Sequence, residues 1–353
     1  MLSFLNPKNL VILRRVRQEA RRLGVAPAAL PSDVVAALML PQLDMAKWGL
    51  VPNSEVSAER YVDPSLQVVV TAAREGNWEP AAGRLEETWG DWEARVLVVR
   101  ALAEVAVQDD TWLRAWQAAR PDDPGHAVVQ AQTLVIVAWQ VRGAQRAVNT
   151  TGEQFAGFHR VLVEARSAAL TAAAEAPEDP TPWSIHVNLA RGLSYHHEDF
   201  AAVWDQLIAR DPLHHVGHLH ALQYWCAKWA GSHDLMTDFA TRVAATSPRL
   251  AVLPLIAAFE HDDELWSSPS VLTALDVVQA RLASEDSNTI LTRNERGWVI
   301  HTLLPNKRFD EAVVQFRALG PHADGEPWSM HEKPRLWFLK SRVDACKGAR
   351  QRV

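Results

Sequence analysis

Residues 179–212 read DPTPWSIHVNLARGLSYHHEDFAAVWDQLIARDP, and this stretch decides the fold. It opens on Asp179-Pro180 and closes on Asp211-Pro212. An Asp oxygen accepts from the free N–H groups of a first helical turn, and proline loses nothing at the first helical position because that N–H has no partner there. Apolar residues follow each dipeptide at helical rather than alternating spacing. His196-His197, before Glu198, suits a turn between two antiparallel helices. One helix hairpin is therefore predicted.

The same signal recurs at Asp63-Pro64, Asp123-Pro124 and Ser247-Pro248. From 63 to 123, 179, 211 and 247 the steps are 60, 56, 32 and 36 residues. These are close to one or two units of the roughly 34-residue period of tetratricopeptide repeats. Gly76-Asn77 before Trp78 and Gly231-Ser232 before His233 supply further hairpin turns. The apolar runs Val68–Val70 and Leu134–Val137 lie inside longer patterns without turn signals at strand spacing, so they predict helix.

Near the end, Asn306-Lys307-Arg308-Phe309-Asp310-Glu311-Ala312 leads into Val313, Val314, Phe316, Leu319 and Pro321. With Phe309, the small Ala312, Phe316 and a closing proline, this segment resembles the second helix of a tetratricopeptide repeat. Residues 179–212 resemble the same pattern, with Leu189 and Ala190 at the family's Leu-Gly pair and Ala202 at its small second-helix position. Tyr224 to Met236 looks like a segment of an uncharacterised bacterial family of helical-repeat proteins, which implies no known activity. The resemblance implies an all-α fold, an α-solenoid of tetratricopeptide-like antiparallel helix pairs. Its expected limits are an N-terminal helical cap over 1–62, repeats over 63–325 and a C-terminal capping helix over 326–353. A helix near Asn9 to Leu23 and a longer one over Thr150 to Ala176 complete the prediction.

Composition narrows the function. The 353 residues are 48% hydrophobic and 22% charged, as in ordinary globular proteins. A net charge of -6, from 36 basic and 42 acidic side chains, gives no overall footprint for nucleic acid. Only Cys226 and Cys346 occur, which argues against a disulfide framework and for a reducing, cytoplasmic setting. The short apolar stretch in Met1 to Leu13 precedes its arginines, the wrong order for a secretory signal. No apolar run reaches the roughly 20 residues of a membrane span. Seven lysines against 29 arginines, with plentiful Ala and Val, suggest a GC-rich bacterial genome.

The most unusual chemistry falls between Pro212 and Trp229, where His214, His215, His218 and His220 lie close together. On one continuous helix, His215, His218, Leu222, Trp225 and Trp229 share a face, with His220 opposite. Counted from the proline of each unit, Trp183 matches His215 and His186 matches His218, so neighbouring units would set them side by side. The candidate patch is Trp183, His186, His215, His218, Trp225 and Trp229. Two accounts stay open: a groove for a peptide or planar ligand, or packing of these side chains between units, which carries more weight. A His214/His218 pair has i,i+4 spacing, but neither a His-Glu-x-x-His signature nor a cysteine pair supports a metal, and no cofactor is assigned.

Fifteen tryptophans exceed nine phenylalanines. Trp78, Trp89, Trp112, Trp116, Trp139 and Trp204 are expected mostly in the core, filling space between layers. The carboxylates of His197-Glu198-Asp199 and His261-Asp262-Asp263-Glu264 fit solvated turns and N-caps. Arg14, Arg15, Arg17, Arg21 and Arg22 fit a solvated helix face, with no aromatics beside them for stacking on bases. Phosphate loops, nucleophile elbows and zinc-finger spacings are missing, and no catalytic residue is assigned. The expected function is an interaction protein binding a peptide, a protein partner or a small ligand on a concave face. An enzyme using the His-rich ridge with nearby carboxylates is the alternative.

Overall fold

The structure, a computed structural model, describes residues 7–143, 152–261 and 265–350. Every regular element among them is helical, beside one isolated parallel bridge between Ser57 and His322. None of the described helices is long and apolar enough to cross a membrane. The chain divides into two compact units, Val62–Asp263 and Met1–Tyr61 together with Glu264–Val353. The prediction placed residues 264–325 with the repeats, whereas here they share a unit with the N-terminal segment.

In chain order, α1 (Pro7–Arg22) and α2 (Ser32–Met39) open the discontinuous unit. The 62–263 unit holds α3 (Pro64–Arg74), α4 (Glu79–Glu87), α5 (Trp92–Gln108), α6 (Thr111–Ala119), α7 (Pro124–Arg142) and α8 (Gly152–Glu175). It continues with α9 (Thr181–Gly192), α10 (His197–Arg210), α11 (His215–Tyr224), α12 (His233–Ala244) and α13 (Leu253–Glu260). Then α14 (Pro269–Ala283), α15 (Ile290–Leu303), α16 (Phe309–Leu319) and α17 (Pro334–Gly348) belong to the discontinuous unit.

Within the 62–263 unit the odd-numbered helices form a row: α3 packs on α5, α5 on α7, α7 on α9, α9 on α11 and α11 on α13. Each also packs on the even-numbered helix that follows it, from α3 with α4 to α11 with α12. Short turns make such sequential neighbours antiparallel. Leu102, Trp116, Val128 and Leu162 are fully buried in the core of this row. Burial of each such side chain stabilises by about 1.5–3 kcal/mol.

All five capped dipeptides share one local geometry. The Asp or Ser oxygen accepts from the N–H two residues on: Asp63 from Ser65 at 2.7 Å, Asp123 from Gly125 at 2.8 Å and Asp179 from Thr181 at 2.8 Å. Asp211 accepts from Leu213 at 3.0 Å and Ser247 from Arg249 at 3.3 Å. Beyond these turns the five segments diverge. Asp63 and Asp123 are N-caps, while α9 starts one residue later than predicted, with Pro180 as its cap. After Asp211 the helix waits until His215, because the His214 imidazole takes over as cap and accepts from Gly217 N–H at 3.0 Å. Ser247 starts only a 3-10 turn, Pro248–Leu250. The α-helix restarts at Leu253 because Pro254 fits only a first turn.

Three further expectations are corrected. The helix predicted from Pro212 to Trp229 ends at Tyr224, so Trp225 and Trp229 are not on one ridge with His215 and His218. The segment after Glu326 first makes a 3-10 turn that buries Trp328 against Phe316 and Phe338, and α17 begins at Pro334. Of the six tryptophans expected mostly in the core, Trp112 and Trp116 are buried, Trp78, Trp139 and Trp204 are half-buried, and Trp89 is exposed. Trp78 lies under Arg120 and Trp139 under Arg142 and Arg191, while Trp204 packs on Phe200, His218 and Phe239.

In the other unit, arginines hold an irregular N-terminal segment. Arg335 donates to the Val56 and Asn53 carbonyls at 2.8 and 3.0 Å, Arg342 donates to Val51 and Arg317 to Trp48. Arg293 pairs with Asp324 at 2.9 Å. Carbonyls without a ladder need such donors, which is why residues 45–61 fold onto α15, α16 and α17.

Candidate functional site

Two inter-helix turns of the 62–263 unit build a cleft. Helix α9 ends in a left-handed turn: Ser194 has φ 55°, and Tyr195 N–H donates to Ala190 O at 2.9 Å. That closure satisfies the last carbonyls of α9 and turns the chain into α10. After α11 the chain folds back over the Trp225 carbonyl. A Cβ on Gly231 would stand 1.9 Å from that oxygen, so only glycine permits the return. The two turns are tied by the Tyr224 hydroxyl donating to Tyr195 O at 2.8 Å and by His197 Nε2 at 2.8 Å from Ala230 O.

Between them lies a cleft of about 850 Å³ lined by Arg191, Tyr195, Glu198, Asp199, Lys228 and Trp229, among others. Arg191 crosses two indoles, its Cζ 4.6 Å from the Trp139 ring centre and 5.2 Å from that of Trp229. Arg142 lies over the same rings at 5.5 and 5.2 Å. The indoles meet edge to face, 5.7 Å apart at 87°. Two guanidinium groups thus share one pair of π-faces, an attraction worth about 0.5–2 kcal/mol per contact.

Neither guanidinium has a carboxylate at ion-pair distance among the described residues; nearby Glu260 is paired with Lys228 Nζ at 2.5 Å. Arg191 donates to Asn188 Oδ1 at 3.0 Å, and its Nε is buried with no acceptor. Burial first, and the Arg142 charge second, lower its pKa to about 10, so it stays protonated at neutral pH. The Arg191 charge, after burial, also holds His220 neutral. Glu198 and Asp199 in the first turn of α10 are exposed, so the cleft has a cationic floor and an anionic edge.

Of the six residues picked from sequence, Trp229 lines this cleft. Trp183 stacks on His186 at 6.0 Å and carries Arg210 over its face at 5.1 Å. His186 is buried, bonds the Tyr195 hydroxyl at 3.0 Å and is driven down to about 4 by burial. His218 is buried against Trp204 and Phe239, with Nδ1 2.9 Å from His214 O. His186 and His218 thus have different ring neighbours. His215 Nδ1 lies 3.2 Å from Arg249 O, beside a niche of about 10 Å³, at most one water in size. Trp225 packs edge-on against Phe200, 5.4 Å away.

The His214/His218 pair is engaged internally, with His214 Nδ1 capping α11 and His218 Nδ1 on the His214 carbonyl. Among the described residues no three His, Cys, Asp or Glu side chains converge as a metal site. Asp262, Asp263 and Glu264 lie outside the described residues. Arg142, Arg191, Tyr195 and Lys228 went unnoticed in the sequence. The local signal was the i,i+3 spacing of Trp139 and Arg142 on α7; Arg191 and Trp229 reach the same place only through the fold. No family model, curated protein or solved structure matches this chain.

Proposed function

We propose that the chain is a tetratricopeptide-like interaction protein that receives a peptide segment of a partner protein in the cleft between the α9–α10 and α11–α12 turns. The row of odd-numbered helices, each paired with its successor, supports the repeat architecture, an analogy at the level of fold. The cleft itself carries the functional reading: Trp229 and Tyr195 offer rigid aromatic surface beside a cation with no carboxylate partner among the described residues, and such Trp, Tyr and Arg groups dominate binding energies. Buried, unpaired Cys226 and Cys346 suit a cytoplasmic setting.

An array of random-sequence decapeptides probed with the full-length protein tests this. Trp229→Ala should weaken the bound peptides about tenfold or more, with an unchanged helical circular dichroism spectrum. Lys228→Ala, at the exposed edge, should weaken them less. Identical binding patterns for wild type and Trp229→Ala would contradict the proposal.

A further inference from the structure

The cleft has two regions of opposite charge, and each lacks something a ligand can supply. On its floor, Arg191 is half-buried, lies over the Trp139 and Trp229 rings, and has no acceptor for its buried Nε among the described residues. Arg142 adds a second positive charge on the same indoles. Two half-buried cations side by side repel each other, and an anion joining them relieves that repulsion and supplies the missing acceptor. At the edge, Glu198 and Asp199 stand exposed in the first turn of α10. They repel a polyanion such as a nucleic-acid backbone and attract an ammonium or guanidinium.

The borders of the cleft, from His196 to Asp199 and at Lys228, are exposed, so a chain can pass through rather than end there. Arginine recognises planar carboxylates through paired N–H donors, and stacking on indoles fixes its plane. We infer that the cleft reads an acidic residue followed or preceded by a basic one within a partner's chain, the Asp or Glu carboxylate on Arg191 and the Lys or Arg cation on Glu198 and Asp199. This rests on the peptide-binding proposal and specifies which segments bind.

The probes are three pools of random decapeptides, amidated at the C-terminus and identical except for a central Glu-Lys, Gln-Lys or Glu-norleucine pair. Wild-type protein should bind the Glu-Lys pool at least tenfold better than the Gln-Lys pool and several-fold better than the Glu-norleucine pool. Arg191→Met, which keeps an apolar stem between the indoles, should bind Glu-Lys and Gln-Lys equally. The Glu198→Gln, Asp199→Asn double variant should lose only the lysine preference. Equal binding of all three pools overturns the charge-pair inference while the peptide-binding proposal stands, and no binding of any pool overturns both. Stronger binding of the same peptides with a free terminal carboxylate, or displacement by submillimolar inorganic phosphate, also overturns the charge-pair inference.

Discussion

Arg95 and Asp179 form a buried ion pair, Nε to Oδ2 at 2.7 Å, with both side chains at most 2% exposed. It joins α5 to the turn that starts α9, and Arg95 also donates to Leu85 O at 2.8 Å. Asp179 meanwhile keeps its other oxygen on Thr181 N–H, so one carboxylate serves the local turn and the tertiary tie together.

Removing one partner leaves a buried charge uncompensated. Asp179→Asn should preserve the turn acceptor yet lower stability by about 3–5 kcal/mol. Adding Arg95→Met should restore part of that loss. Urea denaturation of the two single variants and the double variant measures it; a loss under about 1 kcal/mol for Asp179→Asn would remove the pair from the stability account.

Burial holds His186 and His214 neutral, with pKa values of about 4 in the fold against about 6.5 when unfolded. Unfolding therefore takes up protons in the intervening range. Their contribution is complete above pH 6.5, falls as pH drops from 6.5 toward 4, and is gone below that. His214→Asn keeps a cap of equal quality and removes one titrating group, so its urea midpoint should fall less steeply between pH 6.5 and 5. A wild-type midpoint that is flat or rises on acidification over this range would contradict the account.

The binding role proposed for Arg191 works against stability. Replacing it by methionine removes a half-buried cation beside Arg142 and keeps an apolar stem against both indoles. Thermal unfolding should show Arg191→Met unchanged or stabilised by about 0–2 kcal/mol. A destabilisation of 3 kcal/mol or more would mean that Arg191 is chiefly a structural tie.

Gly231→Ala should lower stability by about 2–4 kcal/mol and weaken peptide binding, because its Cβ would collide with the Trp225 carbonyl and displace Lys228 and Trp229. Ser194→Gly, at the left-handed position that ends α9, should do the reverse for stability, gaining about 0.5–1 kcal/mol. Both are read from urea midpoints.

What was legible in the sequence was local. Capping dipeptides fold as the same turn at all five positions, and the apolar runs at Val68–Val70 and Leu134–Val137 are helical in α3 and α7. Where a second residue competes for the same role, the reading slipped: His214 displaced Asp211 as cap, and Pro254 cut short the helix after Ser247. The break at Tyr224 depends on Gly231 approaching the Trp225 carbonyl, which residue spacing does not express. Pairing of residues 45–61 with the C-terminal helices rests on arginine-to-carbonyl bonds across more than two hundred residues, and carries no periodic signature. The cleft is the same case, since Trp139, Arg191 and Trp229 are brought together by α7, α9 and the turn after α11.

The most direct test is a two-dimensional NMR titration of full-length protein with a decapeptide selected on the array. Saturable shifts should centre on the amides of residues 191–199 and 228–231 and on the Trp139 and Trp229 indoles. Shifts confined to other helices, or none at peptide concentrations that saturate the array, would contradict peptide recognition in this cleft.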